Sequence, residues 1–243
     1  MRYSRFILFL VASTSLSAQS AREIIRKVDK NQQYHSYRYQ ATMQIIKGNK
    51  TLTKRFEGIA KQRGEKSFIR FVNPEDKNVK YLKIANELWI YFPDADDIMK
   101  ISGHMLQRGM MGSDISYEDM MESEGLESKY TFKLLPDSDC GSVKCYSVEL
   151  TAKVKDANYA RQVLHVDKNY FIPMKIELYA RGGRLVKTMV QGQVKKSGTR
   201  YVAHRVEIQD QRRKNSRTIV TLDEVSFNVK IRPGTFSRQN LKR

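Results

Sequence analysis

Four histidines, His35, His104, His165 and His204, are the side chains best suited to moving protons near neutral pH, and they stand far apart in the chain. None belongs to an HExxH pair. The sequence also lacks a nucleophile elbow, a phosphate-binding loop and a dinucleotide glycine motif. Asp94, Asp96 and Asp97 offer the oxygens that calcium takes. Without the glycine and distal glutamate of an EF-hand loop they read as a solvated turn. Cys140 and Cys145, in DCGSVKC, have neither a second cysteine pair nor a nearby histidine to complete a metal site. In an exported chain such a pair reads as a disulfide that staples a turn between strands. The sequence therefore points away from an enzyme, with no catalytic residue, no metal and no cofactor expected.

What remains is apolar recognition. Six of the ten methionines fall between Met99 and Met121, most of them in the stretch MLQRGMMGSDISYEDMM. Methionine is unbranched and polarizable, so a surface built from it moulds to varied apolar shapes. Gly103, Gly109 and Gly112 loosen the backbone around it. The stretch reads either as filler that plugs one end of a sheet or as a lid over an apolar ligand. The candidate ligand contacts are Met105, Met110, Met111, Ile115, Tyr117, Met120 and Met121 on the lid. Phe68, Trp89 and Tyr91 on neighbouring strands complete the set.

The elements that would position these residues are mostly strands. Ser20-Ala21-Arg22-Glu23 is a capping box, and Ile24, Ile25 and Val28 follow at helical spacing, which predicts a helix over 20–32. From Tyr37 onward, runs rich in aromatic and β-branched residues alternate with turns at Gly48-Asn49, Gly64-Glu65, Asn86, Gly182-Gly183 and Ser197-Gly198. Eleven or twelve strands are expected, in an antiparallel meander broken after Pro93. Leu88 to Phe92 is apolar at every position, which predicts that both faces of that strand are covered. Ser116 caps a second, short helix, with Asp119 at the capping-box position. No low-complexity linker divides the chain.

The first residues set the compartment. A basic start with Arg2 and Arg5, the apolar run Phe6 to Ala12 and the small residues up to Ala18 form a secretory leader. Cleavage is expected near Ala18, leaving 19–243 as one domain. The net charge of +18 favours anionic partners, and export makes nucleic acid the least apt of them. Residues 181–243 carry 16 Lys or Arg against four Asp or Glu, while 94–127 reverse the balance with nine acidic residues against two basic ones. Arg212, Arg213 and Lys214 are the candidate contacts to an acidic partner or an anionic membrane surface.

The segments SAREIIRKVDK, LWIYFPD, MMGSDISYEDM and VDKNYFIPMKIELYARGG together resemble the LolA-like superfamily of outer-membrane lipoprotein-sorting proteins, in its largely uncharacterised periplasmic branch. The resemblance implies a mainly β fold. A strongly curved antiparallel sheet forms an unclosed half-barrel, and an N-terminal helix and a lid helix cover its hollow. It also implies a periplasmic carrier that takes the acyl chains of lipoproteins or lipids toward the outer membrane. Its partners would be an inner-membrane transporter and an outer-membrane receptor. A second function the resemblance implies is an envelope sensor or scaffold that binds a membrane protein's periplasmic domain.

Overall fold

The computed structural model describes residues 19–243; the expected leader, 1–18, lies outside the described residues. One antiparallel sheet of thirteen strands carries the chain. The strands are β1 (Ser36–Lys47), β2 (Lys50–Lys61), β3 (Lys66–Phe71), β4 (Lys80–Ile84), β5 (Glu87–Phe92), β6 (Asp97–Ile101), β7 (Tyr130–Cys140), β8 (Val143–Ala152), β9 (Arg161–Asp167), β10 (Pro173–Tyr179), β11 (Leu185–Ser197), β12 (Arg200–Asp210) and β13 (Ser216–Phe227). Their spatial order is β6-β5-β4-β3-β2-β1-β13-β12-β11-β10-β9-β8-β7. Two meanders thus meet where β1 pairs with β13. The sheet stays unclosed, and the segment between β6 and β7 connects its two edges. That segment contains the methionine-rich stretch.

The count exceeds the expected eleven or twelve because β6 reads as loop in sequence. Ile98, Met99 and Ile101 place apolar groups on both faces, so the period-two signature is absent. Pairing shows it instead: Leu88 opposes Ile101 and Phe92 opposes Asp97. Between them Pro93–Ala95 forms a single tight turn, ended by Asp96 in the left-handed region at φ 44°. Cys140 and Cys145 are disulfide-bonded across the β7–β8 turn, as the sequence predicts.

The helix α1 (Ala21–Asn31) starts with the expected capping box, in which Ser20 and Glu23 satisfy each other's backbone N–H. Ile24, Ile25 and Val28 pack on Val148, Leu150, Leu164 and Val166, the inner-face residues of β8 and β9. A second apolar cluster lies on the same inner face, where Met43, Phe56, Phe71, Tyr81, Leu88 and Ile90 receive Met110 and Tyr117 from the lid segment. Because side chains alternate across a strand, Leu82, Trp89 and Tyr91 point outward. They are covered by the C-terminal segment through Phe236 and the fully buried Leu241. Lys80 donates to the Leu241 carbonyl at 2.9 Å, and Lys242 reaches Asp96 at 3.0 Å. Leu88 to Tyr91 are therefore covered on both faces, by two different segments, whereas Phe92, at the strand end, is exposed.

Candidate ligand-binding site

The lid segment is pinned to the sheet at two points. At the first, Asp114 is buried and its carboxylate accepts from Thr218 Oγ1 at 2.7 Å and Ser216 Oγ at 3.0 Å. Its own N–H donates to Thr218 Oγ1 at 2.8 Å. Beside it, Arg213 donates to the carbonyls of Gly112 at 3.2 Å and Ser113 at 2.6 Å. Gly109 makes this fold of the loop possible. A Cβ there would lie 1.9 Å from the Ser113 carbonyl oxygen and 2.8 Å from the Arg213 guanidinium. The loop then enters the helix α2 (Tyr117–Met121), capped by Ser116 and Asp119 as the sequence predicts.

At the second point Asp119, on α2, forms an ion pair with Lys187 of β11 and accepts from Tyr159 OH at 2.6 Å. Lys187 is 1% exposed. Burial, with the adjacent Asp119 carboxylate, pushes the Tyr159 phenol far above its ordinary range, so it stays a donor. Asn158 holds the same helix through the Glu118 carbonyl at 3.1 Å. Burial raises the Glu118 carboxyl as well, with Asp119 adding to the effect. A short helix α3 (Leu126–Lys129) follows, tied to α1 where the buried Asp29 accepts from the N–H groups of Leu126 at 3.2 Å and Glu127 at 3.4 Å.

Between the lid and the inner face lies a cavity of about 420 Å³. Its floor is apolar: Ile176 and Leu178 of β10, Met189 of β11, Val206 and Ile208 of β12 and Val220 of β13. These positions stand opposite one another in register, Ile176 facing Met189, Met189 facing Ile208 and Val206 facing Val220. Ile115 and Met120 form the roof, and Leu126 closes one side. Asp119, Glu122, Glu124, Lys187, Lys129 and Tyr159 make a polar margin. The volume falls in the range of roughly 300–1,000 Å³ typical of small-ligand sites. Among the described residues, no three metal-ligating side chains converge.

The lid residues singled out from sequence are brought together. Met105, Met110, Met111, Ile115, Tyr117, Met120 and Met121 all belong to one cluster. They divide in role, however. Met110 and Tyr117 are core filler over β1–β6, whereas Ile115 and Met120 line the cavity. Phe68, Trp89 and Tyr91 do not join them. They sit on the outer face with Leu241, because the register that turns Ile69, Tyr81 and Ile90 inward turns their neighbours outward. The expected trio of partner contacts is also altered. Arg212 is clamped to Asp210 by bonds of 2.9 and 2.7 Å, and Arg213 is committed to the lid carbonyls, leaving Lys214 exposed. Burial alone would raise the Asp210 carboxyl, but the Arg212 hydrogen bonds outweigh it and hold the group low. The floor residues and Lys187 escape sequence reasoning. Their alternation in MKIELY and RVEIQ marks an inner face, yet nothing in it separates packed face from open space.

Residues 63–243 match a protein-family model described as that of an uncharacterized protein. No curated protein matches the chain. Among solved structures, a DUF1329 family protein from Desulfovibrio piger superposes with a TM-score of 0.83 at 24% identity, covering 91% of this chain and 97% of that one. A protein described as an outer membrane lipoprotein-sorting domain, from Vibrio parahaemolyticus, gives 0.78 at 22% identity, over 90% and 97% of the two chains. A LolA superfamily protein from Nitrosomonas europaea gives 0.74 at 18% identity, over 92% and 100%. At these identities the likeness is one of fold, and it is the fold expected from the sequence. The chain therefore belongs to the uncharacterized family that its residues 63–243 match, a branch built on the LolA-like fold.

Proposed function

We propose that this protein is a periplasmic carrier that binds the acyl chains of a lipid or lipoprotein and takes them toward the outer membrane. The observation that carries the reading is the apolar floor under a lid held by polar anchors. Burial of each acyl CH₂ contributes roughly 0.8 kcal/mol, so about ten buried carbons contribute roughly 8 kcal/mol, the size of a micromolar affinity before the cost of association. Entry requires α2 to lift, which breaks polar contacts and leaves the sheet intact. The secretory leader supports the compartment. The rival scaffold reading rests on the basic surface, and the internal engagement of Arg212 and Arg213 weakens it.

The test is native mass spectrometry of the protein recovered from the periplasm, with organic extraction of whatever is bound. A co-purifying acylated molecule is expected, and it should be lost in a Val206→Trp variant that fills the cavity. Equal occupancy in that variant would sink the site. A clean ligand-free mass, with no uptake of added fatty acid, would turn the reading toward the scaffold.

A further inference from the structure

Lys187 is out of place on an apolar wall. Its cross-strand neighbours are Leu178 on one side and Asp210 on the other. Asp210 is already committed to Arg212 through both carboxylate oxygens. The carboxylate that neutralises Lys187 is Asp119, which belongs to the lid, and among the described residues it is the only one in ion-pair contact. A buried ammonium is costly unless it is paired. When α2 lifts to admit a ligand, Asp119 leaves with it. Lys187 and Tyr159 OH, both of which address that one carboxylate, then face the cavity with no anion between them. A neutral ligand leaves the ammonium unpaired against apolar floor. An anionic ligand restores the pair.

Resting on the carrier reading, we propose that the ligand is an amphiphile with one anionic head, received by Lys187 and Tyr159 at the place that the Asp119 carboxylate holds while the lid is shut. The acyl chain lies on Ile176, Met189 and Val206, and the head sits at the polar margin. Asp119 is thus an internal stand-in for the ligand's head, and ligand and lid compete for one cation. A fatty-acid carboxylate and the phosphate monoester of a lysophospholipid share this chemistry. A cargo whose acyl chains hang from an uncharged glycerol does not.

The test is calorimetric titration of the mature protein with palmitate, its methyl ester and palmitoyl lysophosphatidate. A hydrogen-bonded charge pair implies that palmitate binds at least about tenfold tighter than the ester. Lys187→Gln should bring that ratio close to one, with ester binding tightened because no ammonium is left unpaired. Asp119→Asn, which removes the competitor, should tighten palmitate binding. If Lys187→Gln fails to fold, Tyr159→Phe serves in its place and should cut the ratio several-fold. Tighter binding of the lysophosphatidate than of palmitate assigns a phosphate head, and the reverse assigns a carboxylate. Equal binding of palmitate and ester by the natural chain overturns the proposal but leaves the carrier standing, as does a ratio that neither substitution moves. Binding of none of the three overturns the carrier and this proposal together.

Discussion

Asp114→Ala tests whether the lid moves as a unit on defined anchors. Asp114 is 1% exposed and, beside Arg213, links the Met110–Ser116 loop to the last two strands. The substitution removes a charged acceptor from Thr218 and Ser216 and leaves both buried hydroxyls to find weaker partners. Hydrogen bonds to a charged group contribute about 1.5–3 kcal/mol each, and the two share one oxygen, so a joint loss of about 2–4 kcal/mol is expected. Relief of the buried carboxylate's desolvation offsets a part of that and sets the lower end. At 1.4 kcal/mol per factor of ten, the lid-open population rises about 30- to 700-fold. Hydrogen exchange reads this directly. The amides of Met110, bonded to the Ile115 carbonyl, and Tyr117, bonded to the Arg108 carbonyl, should exchange faster by that factor. Amides in the β1–β13 ladder should keep their rates. Lid amides that exchange at the natural rate would refute Asp114 as an anchor. Uniform acceleration through the sheet would refute the lid as a separately opening unit.

Two further outcomes concern stability. Lys83 faces the core from β4, is 2% exposed and has no hydrogen-bond partner among the described residues; burial pushes its ammonium down to about 8. Against an ordinary lysine near 10.4, the unfolded chain holds the extra proton between about pH 8 and 10.4, so stability rises with pH across that window. Lys83→Met should therefore stabilise the protein by about 1–3 kcal/mol at pH 7, and urea titrations should show that gain fading by about pH 10; a gain independent of pH sinks the argument. On the outer face, Leu241→Asp places a carboxylate at a position of 0% exposure. It should cost about 3 kcal/mol or more and shift the emission of Trp89, the chain's single tryptophan, to the red. An unchanged spectrum and melting point would mean that the C-terminal segment does not cover the strand in solution.

The parts of this molecule that the sequence makes legible are those specified locally. Both capping boxes, Ser20 with Glu23 and Ser116 with Asp119, are fixed by residues three apart, and the hairpins by their turn residues. β6 escapes because its apolar residues fill both faces. The orientation of Trp89 and Tyr91 escapes for the same reason: a strand apolar at every position predicts two covered faces without saying which face meets the lid. The site is harder still to read, because a cavity is defined by what the chain leaves unfilled. Met189 and Val206 differ in no visible way from inner-face residues packed under α1.

The pair that gives the cavity its polarity joins residues 68 apart, so no spacing rule connects them. One trace of it is present in the sequence. In the run from Val186 to Met189, a lysine occupies a position whose register neighbours turn inward. A charge on the covered face of an alternating strand has to be neutralised from elsewhere in the fold. In this chain the neutralising group, Asp119, sits on α2, so if α2 lifts as the proposed carrier reading requires, the pair that breaks is the one an anionic ligand head would restore.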